Sequence, residues 1–163
     1  MDYWIIAATK ILTIGHGGLS LEEFLRRLQM HGITALADVR RFPTSKRHPH
    51  FARTNLAATL DERGIVYHWL GEKLGGYRTG GYESYANTSA FRSGCEELMR
   101  LAQLQPLSFM CAELDYRNCH RRFISTYLQQ QGLEVRHISK HGELLAHAEA
   151  ESGETMQISF KAA

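Results

Sequence analysis

Short apolar runs alternate with amphipathic stretches along most of the chain. The first run, KILTIGH at 10–16, contains β-branched residues and stops at a glycine, which is typical of a buried strand. Ser20 and Glu23 then form a capping-box pair that predicts the start of a helix, and Gly32 ends it. The same patterns predict four more strands at 33–40, 65–70, 106–111 and 134–139, and three more helices at 54–63, 91–102 and 119–131.

The alternation of strands and helices with short connections predicts the fold class. We expect an α/β fold, with a mostly parallel sheet and helices on both faces, in a single domain. We place the domain at residues 1–140 and a weakly packed C-terminal tail at 141–163. Glycines and tyrosines without a steady period predict a long ordered loop at 71–88.

Polar residues follow the predicted strands at their carboxyl ends. In open α/β sheets, ligands bind in the crevice beyond these ends. A site at this edge would bring together residues that are far apart in sequence: Gly15, His16, Asp38, Arg40, His68, Cys111 and Glu113.

Composition and charge narrow the class of protein without identifying a partner. The chain has 44% hydrophobic and 22% charged residues, which are ordinary values for a globular domain. Its net charge of +2 is too small to indicate a nucleic-acid partner by itself. Three cysteines, no basic segment before an apolar core at the N-terminus and no apolar run of roughly 18 residues predict a cytoplasmic protein without a membrane span.

The segment PLSFMCAELDYRNCHRR at 106–122 contains most of the candidate chemistry. Cys111 and Arg117 have the C-x5-R spacing of the anion-binding loop in cysteine-dependent phosphatases. The intervening residues include no glycine and place two carboxylates where the anion would lie, so this similarity is weak.

Cys119 is the better candidate for a reactive thiol. With Asn118 as the predicted N-cap, Cys119 would occupy the first position of a helix, beside His120 and Arg121, where positive potential lowers the pKa of a thiol. The alternative, of equal weight, is that Cys119 is a small residue packed under the sheet.

Other roles are open for the polar residues of this edge. Asp38 and Glu113 would act as general acid and base, or would pair with arginines. Cysteine and histidine side chains are also suitable ligands for zinc or iron, but their spacing matches no recognised metal motif, and no cofactor is predicted. The four residues of this minor alternative are His16, Cys111, Cys119 and His120.

The segment DVRRFPTSKRHPHFART at 38–54 is strongly basic. Arginines make bidentate phosphate contacts, hydroxyl groups add donors and aromatic rings stack on bases, so we expect a phosphate-bearing ligand. The alternative is a solvated basic loop. The ligand contacts predicted here and in the neighbouring loop are Arg40, Pro43, Ser45, Phe51 and Arg78.

The sequence closely resembles the DUF488 family, whose function is unknown. The motifs that support this resemblance are TIGHG at 13–17, DVRRFPTS at 38–45, LGEKLGG at 70–76, CAELDYRNCHR at 111–121 and VRHI at 135–138. Gly17 stands where the family usually has serine, and Lys46 where it often has arginine. The resemblance implies an α/β domain with these motifs, including Gly75 and Gly76, at its site, and it implies no reaction or cofactor.

Three hypotheses follow. The first is an enzyme-like domain with a pocket for a phosphate-bearing ligand, such as a nucleotide or a nucleic-acid segment. Its catalytic residues would be His16, Asp38, Cys111, Glu113 and Cys119, and its ligand-binding residues would be Gly15, Arg40, Pro43, Ser45, Phe51, Gly75, Gly76, Arg78, His120 and Arg121. The second is a non-catalytic nucleic-acid-binding module that uses loop 40–53 and the tyrosines at 77, 82 and 85, and the third is a purely structural edge.

Overall fold

Six strands form one sheet in the computed structural model, which describes residues 9–148. The strands are β1 (Lys10–Gly15), β2 (Ala35–Asp38), β3 (Val66–Trp69), β4 (Leu107–Cys111), β5 (Glu134–Ile138) and β6 (Leu144–Ala146). Their order across the sheet is β3-β2-β4-β1-β5-β6, and the first five are parallel while β6 pairs antiparallel to β5. The prediction of a mostly parallel α/β sheet is confirmed.

Helices cover both faces of this sheet. They are α1 (Leu21–Met30), α2 (Arg53–Glu62), α3 (Gly71–Leu74), α4 (Tyr82–Tyr85), α5 (Ser89–Leu104) and α6 (Arg121–Gln130). Two short 3-10 turns, Pro49–Phe51 and Tyr116–Asn118, lie in the connections.

The alternation of side chains along the strands produces two separate apolar clusters. In β1, Ile11 packs with the residues of α5 and α6, whereas Leu12 and Ile14 pack with those of α1 and α2. We call these the α5/α6 cluster and the α1/α2 cluster. The two clusters lie on opposite faces of the sheet, so side chains at its carboxyl edge can lie on either face.

The first helix begins where the capping box predicts. The hydroxyl of Ser20 accepts a hydrogen bond from the Glu23 amide at 3.1 Å, and the Ser20 amide donates to the Glu23 carboxylate at 3.0 Å. These reciprocal bonds satisfy amides that the first helical turn leaves without partners.

The start of α6 differs from the prediction. Asp115 accepts a hydrogen bond from the Arg117 amide and starts the 3-10 turn that Asn118 ends. Cys119 is then extended, and His120 is the N-cap of α6. Asn118 is therefore not the N-cap, and Cys119 does not occupy the first helical position.

Two other segments contain elements that were not predicted. The loop at 71–88 contains the short helices α3 and α4. The described part of the predicted tail adds β6 to the sheet, and His147 behind it is buried. Residues 1–8 and 149–163 lie outside the described part of the chain. Within that part, no helix is both long and apolar enough to cross a membrane.

Candidate functional site

The loops after β1 and β4 meet at the carboxyl edge of the sheet. The His16 amide donates to the Cys111 carbonyl at 3.0 Å, and the Gly17 amide donates to the next carbonyl at 2.8 Å. A Cβ atom on Gly15 would lie 1.8 Å from the carbonyl oxygen of Glu113, so the backbones approach too closely for a side chain there. The predicted convergence of these residues is thus present.

Cys111, Cys119 and Arg121 form a buried group on the side of the α5/α6 cluster. The two sulfur atoms are 3.2 Å apart. The Nε of Arg121 donates to the Cys111 sulfur at 3.0 Å, and the Arg121 amide donates to the Cys119 sulfur at 3.4 Å. All three side chains are buried, and Arg121 is 0% exposed.

The remaining donors of Arg121 bind neutral oxygen atoms. Nη1 donates to the Thr13 hydroxyl at 2.6 Å, and Nη2 donates to the Glu113 and Leu114 carbonyls at 2.7 and 3.2 Å. Among residues 9–148, no carboxylate forms an ion pair with Arg121. A buried guanidinium requires a compensating charge, and the Cys111 sulfur is the group in contact with it that can become an anion.

This environment gives the two thiols opposite pKa shifts. Burial raises the pKa of Cys111, but the hydrogen bond from Cys119 and the charge of Arg121 outweigh it and lower the pKa to about 6. Burial and the hydrogen bond with Cys111 raise the pKa of Cys119 well above its ordinary value. Cys111, rather than Cys119, is therefore the thiol of the pair that loses its proton more readily, because the Cys119 thiol and the Arg121 guanidinium both stabilise its anion.

Asp38 and Arg40 form a closed ion pair on the other face of the sheet. Nε and Nη2 of Arg40 donate to the two Asp38 oxygens at 2.9 and 2.8 Å, and the Tyr67 hydroxyl donates to the same carboxylate. Tyr67 packs against the α1/α2 cluster, and Asp38 is fully buried. The carboxylate here serves as the partner of an arginine, which was one of its two predicted roles.

His16 belongs to the same face as that ion pair. Its Nδ1 donates to the Gly17 carbonyl at 2.8 Å, its ring stacks on Phe51 at 4.3 Å, and its Nε2 lies 3.5 Å from Nη1 of Arg40. Burial lowers the pKa of His16 to about 4, so the imidazole is neutral at pH 7. Phe51 is fully buried as a core residue, which leaves no ring face for a base.

Several predicted ligand contacts hold the loops in place. Nε of Arg78 donates to the Gly75 carbonyl at 2.8 Å, and its guanidinium lies 4.1 Å from the centre of the Tyr85 ring. The Ser45 hydroxyl accepts a hydrogen bond from the His48 amide at 3.0 Å. The carbonyl of Pro43 accepts from the Arg53 amide at 2.9 Å.

The LGEKLGG motif packs closely against the basic loop. A Cβ atom on Gly75 would lie 2.4 Å from the Cβ of Arg41, and one on Gly76 would lie 3.5 Å from Nδ1 of His120. His120 donates from Nε2 to the Val39 carbonyl at 3.0 Å, and burial lowers its pKa to about 4. His120 thus connects the start of α6 to the end of β2.

Charged and aromatic groups at this edge remain exposed. The Glu113 side chain is exposed, and its backbone carbonyl rather than its carboxylate contacts Arg121. Lys46 and Arg47 are exposed and have no side-chain hydrogen bond or ion pair among the described residues. The rings of Phe42 and Tyr77 are 59% and 52% exposed, with centroids 5.8 Å apart.

A second buried polar network was not predicted. Thr13 of β1 pairs in register with His137 of β5, and the Thr13 hydroxyl lies 2.6 Å from Nδ1 of that imidazole. Nε2 of His137 lies 2.9 Å from Nδ1 of His147, whose Nε2 lies 2.9 Å from the Thr126 hydroxyl. The sequence signal was a polar residue inside each of two apolar strands, TIGHG and VRHI.

Two further observations concern ligands. In residues 9–148, no group of three or more histidine, cysteine, aspartate or glutamate side chains is arranged to hold a metal ion. A groove of about 490 Å³ lies on the opposite side of α6 from the cysteine group, lined by Phe91, Arg92, Arg122, Phe123 and Tyr127 among others. The groove therefore lies outside the predicted carboxyl-edge pocket.

Comparison with known proteins identifies the family of the chain. A family model described as a domain of unknown function, DUF488, matches residues 20–128. The match contains the motifs at 38–45, 70–76 and 111–121, while TIGHG and VRHI flank it. Searches of curated proteins and of solved structures found no match. Because the model covers more than half of the chain, the protein belongs to the DUF488 family of domains of unknown function.

Proposed function

We propose that this protein is an enzyme whose nucleophile is the Cys111 thiolate and whose ligand bears a phosphate group. One observation supports this most strongly. The Arg121 guanidinium is completely buried, contacts the Cys111 sulfur at 3.0 Å and has no carboxylate partner among the described residues. A thiolate in such a setting is the reactive form of cysteine at neutral pH.

The proposed roles of the arginines differ from the initial hypothesis. The donors of Arg121 are used by Cys111, Thr13 and two carbonyls, so it stabilises the nucleophile and does not bind the ligand. Arg40 is likewise occupied by Asp38. The phosphate group would instead contact exposed cations of loop 40–53.

Lys46 and Arg47 are the best candidates for this contact. A Cβ atom on Gly18 would lie 3.9 Å from the His48 ring, and Gly17 bonds to the loop after Cys111. The Gly17-Gly18 turn therefore joins the basic loop to the Cys111 loop. Cys111 itself is only 2% exposed, so residues 112–118 must move for a ligand to reach the sulfur.

Protection from alkylation tests the proposal. Trypsin separates the three cysteines, because Arg92, Arg100 and Arg117 lie between or before them. Native protein would be treated with iodoacetamide at pH 7, with and without inorganic phosphate or adenosine monophosphate. We expect phosphate to slow the alkylation of Cys111 several-fold and to leave Cys95 unchanged.

A pair of double variants serves as the control. K46A/R47A should abolish the protection while Cys111 remains reactive, and K10A/R26A, which removes two exposed cations elsewhere, should keep it. If neither phosphate compound protects Cys111 in the wild-type protein, the phosphate-bearing ligand is ruled out. An unreactive Cys111 would rule out the nucleophile.

A second candidate function is binding of single-stranded nucleic acid, which the exposed rings of Phe42 and Tyr77 favour. Arg41 lies 5.4 Å from the Phe42 ring centre and donates to the Tyr77 carbonyl at 2.6 Å, so cation and rings form one surface. Of the other tyrosines proposed for binding, Tyr82 is buried and Tyr85 lies under Arg78. Steep loss of oligonucleotide affinity between about 50 and 200 mM salt, retained in Cys111→Ser, would favour this function over an enzyme.

A further inference from the structure

The two sulfur atoms of Cys111 and Cys119 are in direct contact, 3.2 Å apart. We infer that Cys119 is a resolving cysteine, and that the pair forms a reversible disulfide when Cys111 reacts with a hydroperoxide. This inference rests on the proposed function in one respect, since it requires Cys111 to be the nucleophilic thiolate. It adds a modification site and a role for the second cysteine.

The local structure permits the bond to form. A disulfide has a sulfur–sulfur distance of about 2.05 Å, so the two atoms must approach by about 1 Å. The segment that joins them contains only a short 3-10 turn, Tyr116–Asn118, and several of its residues are exposed. Such a segment adjusts more easily than β4, whose five residues are all buried.

The proton distribution assigns a different role to each cysteine. Arg121 stabilises negative charge on Cys111, which makes this sulfur the attacking atom. Once Cys111 is ionised, the Cys119 thiol is the partner that still carries a proton, so it is the thiol that reacts second. This division between a thiolate and an adjacent thiol is the arrangement that redox-active cysteine pairs require.

The chemistry has two steps. In the first, the Cys111 thiolate attacks the terminal oxygen of a hydroperoxide, the O–O bond breaks, and the alkoxide takes a proton from water to give an alcohol. Cys111 becomes a sulfenic acid. In the second, the Cys119 sulfur attacks the Cys111 sulfur, the S–O bond breaks, and hydroxide leaves with the thiol proton as water. Two thiols are oxidised, one hydroperoxide is reduced, and an external thiol reductant restores the pair by exchange.

The disulfide would change the state of the site. It removes the thiolate that compensates the charge of Arg121, and it consumes the nucleophile. Oxidation therefore switches off any reaction that depends on the Cys111 thiolate. Reduction switches it on again.

Peptide mapping after peroxide treatment tests the inference. The protein would be incubated with hydrogen peroxide, blocked with an alkylating reagent, digested with trypsin and analysed by mass spectrometry. Cys111 lies in tryptic peptide 101–117 and Cys119 in 118–121, so the disulfide would appear as these two peptides joined. Cys95, buried in peptide 93–100, is an internal control that should remain a thiol.

The variants separate the inference from the proposed function. In Cys119→Ser, we expect a persistent sulfenic acid at Cys111 that dimedone traps, and in Cys111→Ser we expect no oxidation of Cys119. The joined peptides should disappear after dithiothreitol. If Cys111 is alkylated as a thiolate but peroxide produces no joined peptide, the resolving role is wrong and the nucleophile stands. If Cys111 is not alkylated at neutral pH, both are wrong.

Discussion

Two buried arginines lie at the same edge of the sheet, but on opposite faces. Arg40 is held by the Asp38 carboxylate through two hydrogen bonds of 2.9 and 2.8 Å. The corresponding partner of Arg121 is the Cys111 sulfur, which lies 3.0 Å from Nε of the arginine. The first arginine is paired with a carboxylate, whereas the second has a compensating anion only when a thiol loses its proton.

The two arginine sites at the edge of the sheet therefore have different roles. The Asp38–Arg40 pair is closed by a third group, Tyr67, and it connects β2 to β3. On the other face, the charge state of Cys111 is variable, and a sulfur anion is a nucleophile as well as a counter-ion. We therefore assign stability to the α1/α2 face and reactivity to the α5/α6 face.

The largest expected effect is loss of the carboxylate from the first pair. Asp38→Ala leaves the buried Arg40 guanidinium without its anion, which should lower the free energy of unfolding by about 3–5 kcal/mol. Urea denaturation followed by circular dichroism measures this change. Cys111 should keep its reactivity in the folded variant.

The chain contains a matched control with the same sequence spacing. Asp115 and Arg117 form the same two-bond pair, at 3.0 and 3.1 Å, but Arg117 is 68% exposed. Asp115→Ala should therefore cost only about 0–1 kcal/mol. If Asp38→Ala and Asp115→Ala lowered the free energy of unfolding equally, burial would not explain the contribution of the Asp38–Arg40 pair.

Acid should destabilise both faces. Burial lowers the pKa of His16 on one face to about 4, and those of His137 and His147 on the other to about 2 and 4. Because the pKa of each imidazole is lower in the folded protein than in the unfolded chain, the neutral imidazole contributes stability. This contribution is complete above pH 6.5 and is lost as the pH falls toward the pKa in the folded protein. Each imidazole should therefore lower the free energy of unfolding by about 2 kcal/mol between pH 6.5 and 5.

Unfolding free energies measured across this range test the acid sensitivity. His137→Asn should reduce the slope with pH, whereas the same replacement at the exposed His141 should not. A wild-type stability that is flat from pH 6.5 to 5 would contradict the burial of neutral imidazoles.

A smaller effect distinguishes the two arginine sites directly. Because the pKa of Cys111 is lowered to about 6, its thiolate contributes stability that is complete above the unfolded pKa of about 8.5 and is lost as the pH falls to 6. The contribution should be about 1 kcal/mol at pH 7 and should increase toward pH 8. Cys111→Ser should remove this increase, while Cys95→Ser provides the comparison with a cysteine outside the pair.

The sequence was sufficient for the framework of the molecule and for the convergence of several polar residues at the carboxyl edge of the sheet. Apolar runs and caps predicted five strands and the parallel sheet, and the strand-end rule brought Gly15, His16 and Cys111 together. The antiparallel β6 was missed because three residues after a glycine turn have no distinct pattern of their own.

The roles of individual residues were harder to predict. One turn of 3-10 helix, started by Asp115, displaced the beginning of α6 and moved Cys119 away from the helix terminus. The partner choice of Arg121 depends on a β4 residue ten positions earlier and on Thr13 of β1, which only the assembled sheet brings within reach. The face of the sheet on which each of these polar side chains lies was likewise set by tertiary packing.

The pH dependence of Cys111 alkylation tests the central claim most directly. Residue-resolved mass spectrometry would compare the wild-type protein with Arg121→Met, which removes the charge but retains much of the side-chain volume. We predict a midpoint near pH 6 for the wild type and a shift to about 8.5 or above in the variant, a loss of roughly 30-fold in thiolate at pH 7. A wild-type midpoint at or above 8.5, unchanged by the substitution, would contradict the pairing of Arg121 with a Cys111 thiolate.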